Sequence, residues 1–536
     1  MYNLLYRGFS TVIVLVMFSA CASKPTILPL IHPTANEKTA PVLFLADPQI
    51  HNIYGMGLKQ MTRISDIASK VAVRQPEINI IAPLILENLI AQSEKKNNSE
   101  AIIVLGDATN IGCSGEFNTF MESIKYGNIN NVPVLLAHGN HDTYLMGTVN
   151  HYFPTSSASN WKPDFMETSN VPTDEDWWGE GVIDSRNGRN WRDGCYSPNK
   201  ESSPMNKSRW LAKYISYLSG VGLKRVNIEK SIEGKKKRSV FELSYGSRMG
   251  TPLSELNFEA KGFWFPPEFK KVPQKSYFTR VYKSFLVQRA QIEETDIIII
   301  DTSLCEKARG GFLGFAFTNA GQNACIGDSQ FEVIKEYVDE VKTGRRLVVA
   351  GHFPLADLKS RERNRLLRIM SSHAGWTYMS AHSHYATKQF KWGNGSEINI
   401  ASTTDWPMEA SNVWFNEVSR GPIIGQINNQ ANILDNSDFT KYSGKSEACR
   451  HLVVAKKIAE LSSYENVQWK SPKPDASCDP NKAEDWEEVG LALMEQVTII
   501  TNRFRSDEKY KEVVLSIMST ASKNEKDSWD LVELIP

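Results

Sequence analysis

The sequence has no excess of charge of either sign. It contains 61 lysine and arginine residues and 61 aspartate and glutamate residues, so its formal net charge is zero. Such a chain creates no overall electric field that would attract nucleic acid or an acidic surface, and we expect no nucleic-acid partner. Internal repeats and low-complexity tracts are also missing, which argues against a repeat array or a disordered chain.

Long apolar runs are missing as well. No run reaches the roughly 20 apolar residues that a membrane-spanning helix needs, and the N-terminal run extends only from Thr11 to Phe18. A short apolar core followed by small residues is typical of a secretory signal. Two small residues immediately precede Cys21, a pattern that resembles a bacterial lipobox, whose cysteine becomes lipidated.

We therefore predict a signal peptide with a lipobox at 1–21, lipidation of Cys21 and a flexible tether at 22–40. A plainly cleaved signal peptide is the alternative. Lipid on Cys21 would make a bacterial membrane a partner of the protein and leave the body of the chain outside the cytoplasm, in the periplasm or at the outer membrane. The expected localisation is therefore extracytoplasmic and lipid-anchored.

Cysteine is scarce, with seven residues in 536, and none of them has the spacing of a zinc knuckle. Apart from Cys21, an even number remains, which suits disulfide pairing in an oxidising compartment. The sequence does not determine the pairing. Because short loops close most readily, our preferred pairs are Cys305 with Cys325 and Cys449 with Cys478.

The chain is too long for a single hydrophobic core, so we expect a main domain with additions. Short, continuous apolar runs predict strands that are buried on both faces of a helix-covered sheet. These runs are 42–45, 101–105, 132–136, 296–300 and 347–350. Helical apolar spacing between several of them predicts an α/β sandwich whose core has two halves, at 41–151 and 291–405.

Two further regions lie outside this core. Tryptophans scattered among polar residues, proline and glycine at 152–290 predict a large insertion over the site, which separates the core halves. From 406 to 536 the apolar spacing becomes mostly helical, and no chemical motif is visible there. We expect this stretch to form a C-terminal helical extension.

Polar donors follow the apolar runs of both core halves. They are Asp47, Gln49 and His51; Asp107; Asn140, His141 and Asp142; His352; and His382 with His384. The carboxyl ends of strands in an open α/β sheet are the usual ligand crevice. Residues two apart in a strand share a face, so these donors are expected to converge.

The donor segments resemble the ordered motifs of the calcineurin-like metallophosphoesterase superfamily, which are Asp-x-His, Gly-Asp-x-x-x-x-Gly, Gly-Asn-His-Asp, Gly-His and Gly-His-x-His. The corresponding segments here are Asp47 to Gln49, Gly106 to Gly112, Gly139 to Asp142, Gly351 with His352, and Ala381 to His384. The resemblance covers about 41–145 and 295–405. It implies a two-sheet α/β sandwich of the metallophosphoesterase type.

The resemblance also implies a metal site. Asp107 would bridge two divalent or trivalent ions of manganese, iron or zinc, which oxygen and imidazole donors do not rank. Asp47 and His384 would complete one position together with the third residue of the first motif. Asn140, His352 and His382 would complete the other.

Two departures and one later residue bear on this site. The first motif has Gln49 where the family has histidine, so either Gln49 is the ligand or His51 replaces it. We favour Gln49, which keeps the motif spacing, with His51 lining the pocket. Ala381 replaces a glycine, which should only reduce backbone freedom. Asp405 is assigned a turn or capping role, with support of the metal site as the alternative.

The implied reaction is hydrolysis of a phosphomonoester or phosphodiester by in-line attack of a metal-bridging hydroxide. His141 would assist the leaving group, and Asp142 would fix the imidazole. One alternative is a catalytically weak metal-binding surface lipoprotein that acts as a binding or scaffolding module. Another is a hydrolase of a non-phosphate bond. The sequence indicates neither the individual substrate nor the oligomeric state.

Overall fold

The computed structural model describes residues 25–33, 39–54, 74–143, 205, 207–220, 224–233, 236–244, 258–263, 285–303, 324–415, 422–428, 434, 447–461, 467, 469–472 and 485–533. The predicted signal peptide, Cys21, Cys305, Cys478 and the tryptophan-rich stretch up to 204 lie outside these residues. Within them, the chain forms two mixed sheets and eight helices, so the predicted α/β sandwich is confirmed.

The strands and helices are numbered along the chain. The strands are β1 (Thr26–Leu28), β2 (Val42–Leu45), β3 (Ala101–Val104), β4 (Val134–Leu136), β5 (Lys224–Glu233), β6 (Lys236–Ser244), β7 (Glu259–Phe263), β8 (Phe285–Ile292), β9 (Thr295–Ile299), β10 (Arg346–Ala350), β11 (Thr377–Ser380), β12 (Lys388–Trp392), β13 (Gly395–Asn399), β14 (Glu409–Trp414) and β15 (Ile423–Asn428). The helices are α1 (Pro76–Asn97), α2 (Ser114–Gly127), α3 (Lys207–Gly220), α4 (Asp328–Asp339), α5 (Ser360–Met370), α6 (Glu447–Ala459), α7 (Asp485–Ser506) and α8 (Glu508–Glu533).

The smaller sheet has the order β15-β14-β2-β3-β4, and the larger one has the order β1-β12-β13-β11-β10-β9-β8-β7-β6-β5. Parallel pairing joins β2 to β3 and β3 to β4 in one sheet, and β9 to β10 and β10 to β11 in the other. Every residue of these parallel strands is buried, as the apolar runs predict for β2, β3, β4, β9 and β10.

Side chains that point alternately to the two faces of β9 contribute to two separate hydrophobic cores. Ile297 and Ile299 belong to the cluster that also contains the strands of the smaller sheet, so this cluster fills the space between the sheets. Ile298 and Ile300 face the other way, into a cluster with residues of α4 and α5. Because side chains of a strand point alternately to its two faces, one isoleucine-rich strand serves both layers.

Part of the region predicted as an insertion instead continues the larger sheet. Strands β5 to β8 pair antiparallel beside β9. Helix α3 packs here through the buried Trp210 and Tyr214, and the Tyr214 hydroxyl accepts from the Leu136 amide at 2.9 Å and donates to Gln288 Oε1 at 2.6 Å. In the described part of 205–292, the region is thus an extension of the sandwich.

Two other boundaries also differ from expectation. The predicted tether at 22–40 contributes β1, which pairs antiparallel with β12 at the edge of the larger sheet, and Ile31 forms a bridge with Ile423 of β15. The predicted C-terminal extension begins with β14 and β15, which belong to the smaller sheet, and only then becomes helical in α6 to α8. β1 has only three residues, and β14 and β15 contain polar residues, so none of them forms a continuous apolar run.

Cys113, Cys325 and Cys449 are each disulfide-bonded, while the proposed pairs stay predictions. None of the helices that the structure describes combines the length and apolar character needed to cross a bilayer.

Candidate metal centre

The predicted donors converge where parallel strands of the two sheets end. Asp47 follows β2, Asp107 follows β3 and Asn140 follows β4, while His352 follows β10 and the pair His382 and His384 follows β11. All of these side chains are buried except that of His382, which is partly buried. The carboxyl ends of the strands therefore deliver oxygen and imidazole groups to one place, as such crevices do.

The backbone at this place is strained. Among the residues that the structure describes, nine non-glycine residues have positive φ angles. Five of these are predicted site residues, namely Asp47, Gln49, Asp107, His382 and His384, with φ between 41° and 68°. Left-handed conformations are costly for residues with a Cβ atom and cluster at functional sites. The strain turns each strand end sharply and directs its side chain into the crevice. Ala381 is absent from this set, so the missing glycine does not matter for the turn.

Close contact between two loops requires a glycine at position 139. A Cβ atom there would lie 2.0 Å from Asp107 Oδ1 and 2.3 Å from the Asp107 backbone nitrogen. The Gly139 loop can therefore approach Asp107 only because it carries no side chain, and this approach brings Asn140 and His141 beside the carboxylate.

One donor group consists of Asp107, Asn140, His352 and His382. His352 Nε2 lies 2.8 Å from Asn140 Oδ1, 3.2 Å from His382 Nδ1 and 3.4 Å from Asp107 Oδ2. Burial and the neighbouring His352 ring hold the pKa of His382 well below its usual range, so this imidazole is neutral. Neutral nitrogens and carboxylate or amide oxygens that converge in this way could hold a metal ion.

The second donor group consists of Asp47, Asp107 and His384. His384 Nε2 lies 3.5 Å from Asp47 Oδ1, and one ligand atom from each of Asp47, Asp107 and His384 lies within 4.8 Å of the others. The same holds for Asp107, His352 and His382 of the first group. Asp47 Oδ1 is buried and has no hydrogen-bond partner among the described residues. Burial raises the pKa of Asp47, but the imidazoles of His384, His352 and His382 outweigh it and lower that pKa to about 2.

A buried, ionised oxygen that accepts no hydrogen bond can be stabilised by a bound cation. The donor set therefore fits metal ions on chemical grounds. Asp107 belongs both to the group with His352 and His382 and to the group with Asp47 and His384, each of which could hold a metal ion.

Hydrogen bonds behind the ligands fix the direction in which two imidazoles face. The His352 Nδ1–H donates to the Leu105 carbonyl at 3.0 Å, and the His384 Nδ1–H donates to Asp405 Oδ2. Each bond leaves Nε2 as the nitrogen that faces the donor group, which is how proteins orient metal-binding histidines.

Asp405 is itself held by Arg74. The Arg74 Nη2 and Asp405 Oδ2 atoms are 2.9 Å apart, and both side chains are almost completely buried. Asp405 therefore supports His384 of the second donor group and does more than cap a turn. Support of the site was the less favoured of the two expectations for Asp405. Arg74 was not predicted at all, because nothing near it in the sequence marks it as functional.

Gln49 and His51 differ from the expected arrangement. Gln49 lies against the second donor group, but its amide nitrogen faces Asp107 Oδ2 and His384 Nε2, each at 3.2 Å, while its carbonyl oxygen accepts from Arg74. His51 turns away from both groups, and its Nδ1 lies 3.3 Å from Glu116 Oε1 and 3.1 Å from Asn110 Nδ2. It lines a separate cavity beside α1, α2 and α7.

His141 lies beside the donor groups without belonging to either. Its Nδ1–H donates to the Asn110 carbonyl at 2.6 Å, and its Nε2 is 4.0 Å from Asp107 Oδ2. Burial lowers the pKa of His141, and the Asp107 charge only partly opposes this effect. The imidazole is thus neutral and oriented, with one nitrogen directed toward the bridging carboxylate.

The expected role of Asp142 is wrong in one respect. Its carboxylate accepts from the Gly139 amide at 2.9 Å and from the Thr109 amide at 3.0 Å, while the described contact that orients the His141 ring comes from Asn110. Asp142 holds together the two loops that carry Asp107 and His141. Burial and the charge of Asp107 raise its pKa to about 8. The part played by the Asn110 backbone carbonyl had no signal in the sequence.

Comparison with known proteins agrees with this geometry. The family model for the calcineurin-like phosphoesterase matches residues 41–216. No curated protein matches the sequence.

Proposed function

We propose that the protein hydrolyses phosphomonoesters or phosphodiesters with two metal ions, because residues 41–216 match the family model for the calcineurin-like phosphoesterase. The family suggests metal-dependent hydrolysis of phosphate esters. The observation that carries the proposal is the position of His141, which lies next to the shared carboxylate of Asp107 but outside both donor groups. A site that only stored metal would need no such histidine.

The donor groups would hold the metals. Asp107, Asn140, His352 and His382 would hold one ion, and Asp47, Asp107 and His384 would surround the other. Such a pair supplies Lewis acidity and a water acidified toward neutral pH. Manganese, iron and zinc all suit oxygen and imidazole donors, and we propose one of these without ranking them.

His141 would act on the leaving group. Its Nδ1–H is fixed on the Asn110 carbonyl, so only Nε2 can exchange a proton with a bound substrate. With a phosphate ester bound beside Asp107, Nε2 would take the proton that the attacking water loses and pass it to the departing alkoxide. The hydrogen bond from Nδ1–H to the Asn110 carbonyl favours the protonated ring and so partly offsets the lowering of the His141 pKa by burial.

We also propose that the protein is a lipid-anchored extracytoplasmic enzyme. The apolar run before Cys21 and the lipobox-like pattern support the anchor, and the disulfide-bonded Cys113, Cys325 and Cys449 support an oxidising compartment. The test is membrane fractionation of cells that produce the full chain. Lipidation requires that Cys21→Ser releases the protein from the membrane fraction, and an unchanged distribution would contradict it.

The activity is tested with the chain from residue 22 onward, stripped with EDTA and resupplied with manganese, iron or zinc. Chromogenic phosphomonoesters and phosphodiesters should be hydrolysed only after metal is returned. His141→Ala should lower kcat by about 10²–10⁴ with an alkyl leaving group. The loss should be much smaller with 4-nitrophenol, which leaves without a proton.

The control is His32→Ala, which removes an exposed imidazole that has no role in the proposed mechanism. It should keep the activity of the unaltered chain. Hydrolysis that survives chelation, or equal losses for both leaving groups in His141→Ala, would contradict the proposal. Tight metal binding without turnover of any ester would favour the binding or scaffolding protein.

A further inference from the structure

The two donor groups differ in a way that centres on Gln49. The Gln49 carbonyl oxygen accepts from Arg74 Nη2. A guanidinium group only donates hydrogen bonds, so it requires the oxygen of the amide on its side. The Gln49 NH₂ group must then face Asp107 Oδ2 and His384 Nε2, as it does at 3.2 Å from each. An amide nitrogen offers no lone pair to a cation.

Arg74 cannot easily release this oxygen. Its side chain is 1% exposed, and it pairs with Asp405 through two contacts, at 2.9 Å from Nη2 and 3.3 Å from Nε. Moving the guanidinium would leave a buried carboxylate without its partner, which is strongly unfavourable. Asp405 is fixed in turn by His384 and by the Ser402 hydroxyl at 3.2 Å. The amide orientation of Gln49 is therefore locked from behind.

The other donor group has an amide with the opposite orientation. Asn140 Oδ1 lies 2.8 Å from His352 Nε2 and points into the group. That group thus offers four ligand atoms, from Asp107, Asn140, His352 and His382. Within the described part of the chain, the group of Asp47, Asp107 and His384 offers three, and a buried guanidinium adjoins it. A like charge nearby weakens cation binding further.

We propose that the two metal positions are unequal and that Arg74 causes the difference. The four-ligand position holds its ion tightly. The position of Asp47, Asp107 and His384 holds its ion weakly and exchanges it, because Arg74 withholds the Gln49 oxygen. Arg74 is here a positioning residue that sets metal affinity without touching the metal. The inference rests on the proposed dinuclear function and adds how that site is loaded.

The test is Mn²⁺ binding to the full-length chain after EDTA treatment, measured by calorimetry and checked by elemental analysis. Two binding steps should appear, with dissociation constants at least about tenfold apart. Gln49→Ala should leave both steps within about threefold of the unaltered chain. Asn140→Ala removes the matched amide and should weaken the tight step by about tenfold or more, in the range found for groups that support metals.

A gain of affinity provides a second test. Gln49→His places a nitrogen ligand at the same position and should tighten the weak step by about tenfold, with the tight step unchanged. Circular dichroism of the EDTA-treated variants confirms that each one is folded. If Gln49→Ala unfolds, the spacing of the two steps and Gln49→His still decide the matter.

Different failures point to different errors. Two equal steps in the unaltered chain, or a second step weakened about tenfold by Gln49→Ala, would overturn the inference and leave the proposed function standing. Absence of Mn²⁺, Fe²⁺ and Zn²⁺ binding would remove the proposed function itself. No measurement of turnover enters either decision.

Discussion

The buried pair of Arg74 and Asp405 should be a major source of stability, and Asp405→Asn tests this directly. The two side chains are 1% and 5% exposed, with Nη2 and Oδ2 2.9 Å apart. The substitution preserves the shape of the side chain but removes its charge. It leaves the Arg74 guanidinium buried without a counter-ion, since the other described contact of Arg74 is with the neutral Gln49 oxygen.

The expected magnitude follows from this burial. Breaking a buried ion pair by removing one partner destabilises a protein by about 3–5 kcal/mol, because the remaining charge stays desolvated. An exposed pair is worth only about 0–1 kcal/mol. Asp328 and Arg365 form such a pair at 2.7 Å, with the two side chains 71% and 30% exposed. Asp328→Asn is therefore the matched control, with the same chemical change at a similar distance.

The assay is urea denaturation of EDTA-treated protein, followed by tryptophan fluorescence at pH 7 and again at low pH. Nearby Arg74 and His384 overcome burial and hold the pKa of Asp405 below its usual value of 3.8. A lowered folded pKa gives stability that is present above the unfolded pKa and is lost as the pH falls through the folded one. The difference between Asp405→Asn and the unaltered chain should therefore shrink as the pH falls below about 4.

Equal free energies of unfolding for Asp405→Asn and Asp328→Asn at pH 7 would refute the reasoning. So would a difference that persists unchanged in acid, because it would then come from shape and packing instead of charge.

Further predictions concern crowding and pH. Gly139→Ala should lower Mn²⁺ affinity by at least about tenfold, since its Cβ would lie 2.0 Å from Asp107 Oδ1. Gly344→Ala is the control: it should cost roughly 1–2 kcal/mol of stability at its left-handed backbone and leave the Mn²⁺ affinity unchanged. Similar Mn²⁺ affinities of the Gly139→Ala and Gly344→Ala variants would contradict the steric argument. Burial raises the pKa of Glu397 to about 7, above its unfolded value of 4.5. The folded state then binds the proton more tightly, so stability should fall by about 3 kcal/mol as the pH rises between these values. Thermal unfolding of Glu397→Gln should lack that slope, and a retained slope would assign it to another group.

Much of the fold could be predicted because its central strands are buried on both faces. The runs at 42–45, 101–105, 132–136, 296–300 and 347–350 coincide closely with β2, β3, β4, β9 and β10. Polar strands escaped notice for the opposite reason. In β14 the buried Asn412 Oδ1 accepts a hydrogen bond from the Ser93 hydroxyl at 2.7 Å, a contact across 319 residues that no local pattern reveals.

The candidate site also has some features that the local sequence indicates and others that depend on long-range contacts. Donors such as Asp47 and His352 stand directly after apolar runs, so the sequence indicates both their chemistry and their meeting place. Arg74 has no such position, and its partner Asp405 lies 331 residues away. Asn110 acts through its backbone carbonyl, for which any residue type would serve. Side-chain chemistry is therefore readable from sequence, whereas the orientation of Gln49 and His141 depends on contacts made only after folding.

We propose that two metal ions share the Asp107 carboxylate, and electron paramagnetic resonance of the Mn²⁺-saturated chain tests this sharing most directly. Ions that share a carboxylate lie about 3.5–4 Å apart, so the spectrum should show two exchange-coupled Mn²⁺ ions per chain. Asp107→Asn should abolish the coupling. A spectrum of isolated Mn²⁺ at saturation, or coupling that survives Asp107→Asn, would contradict the account.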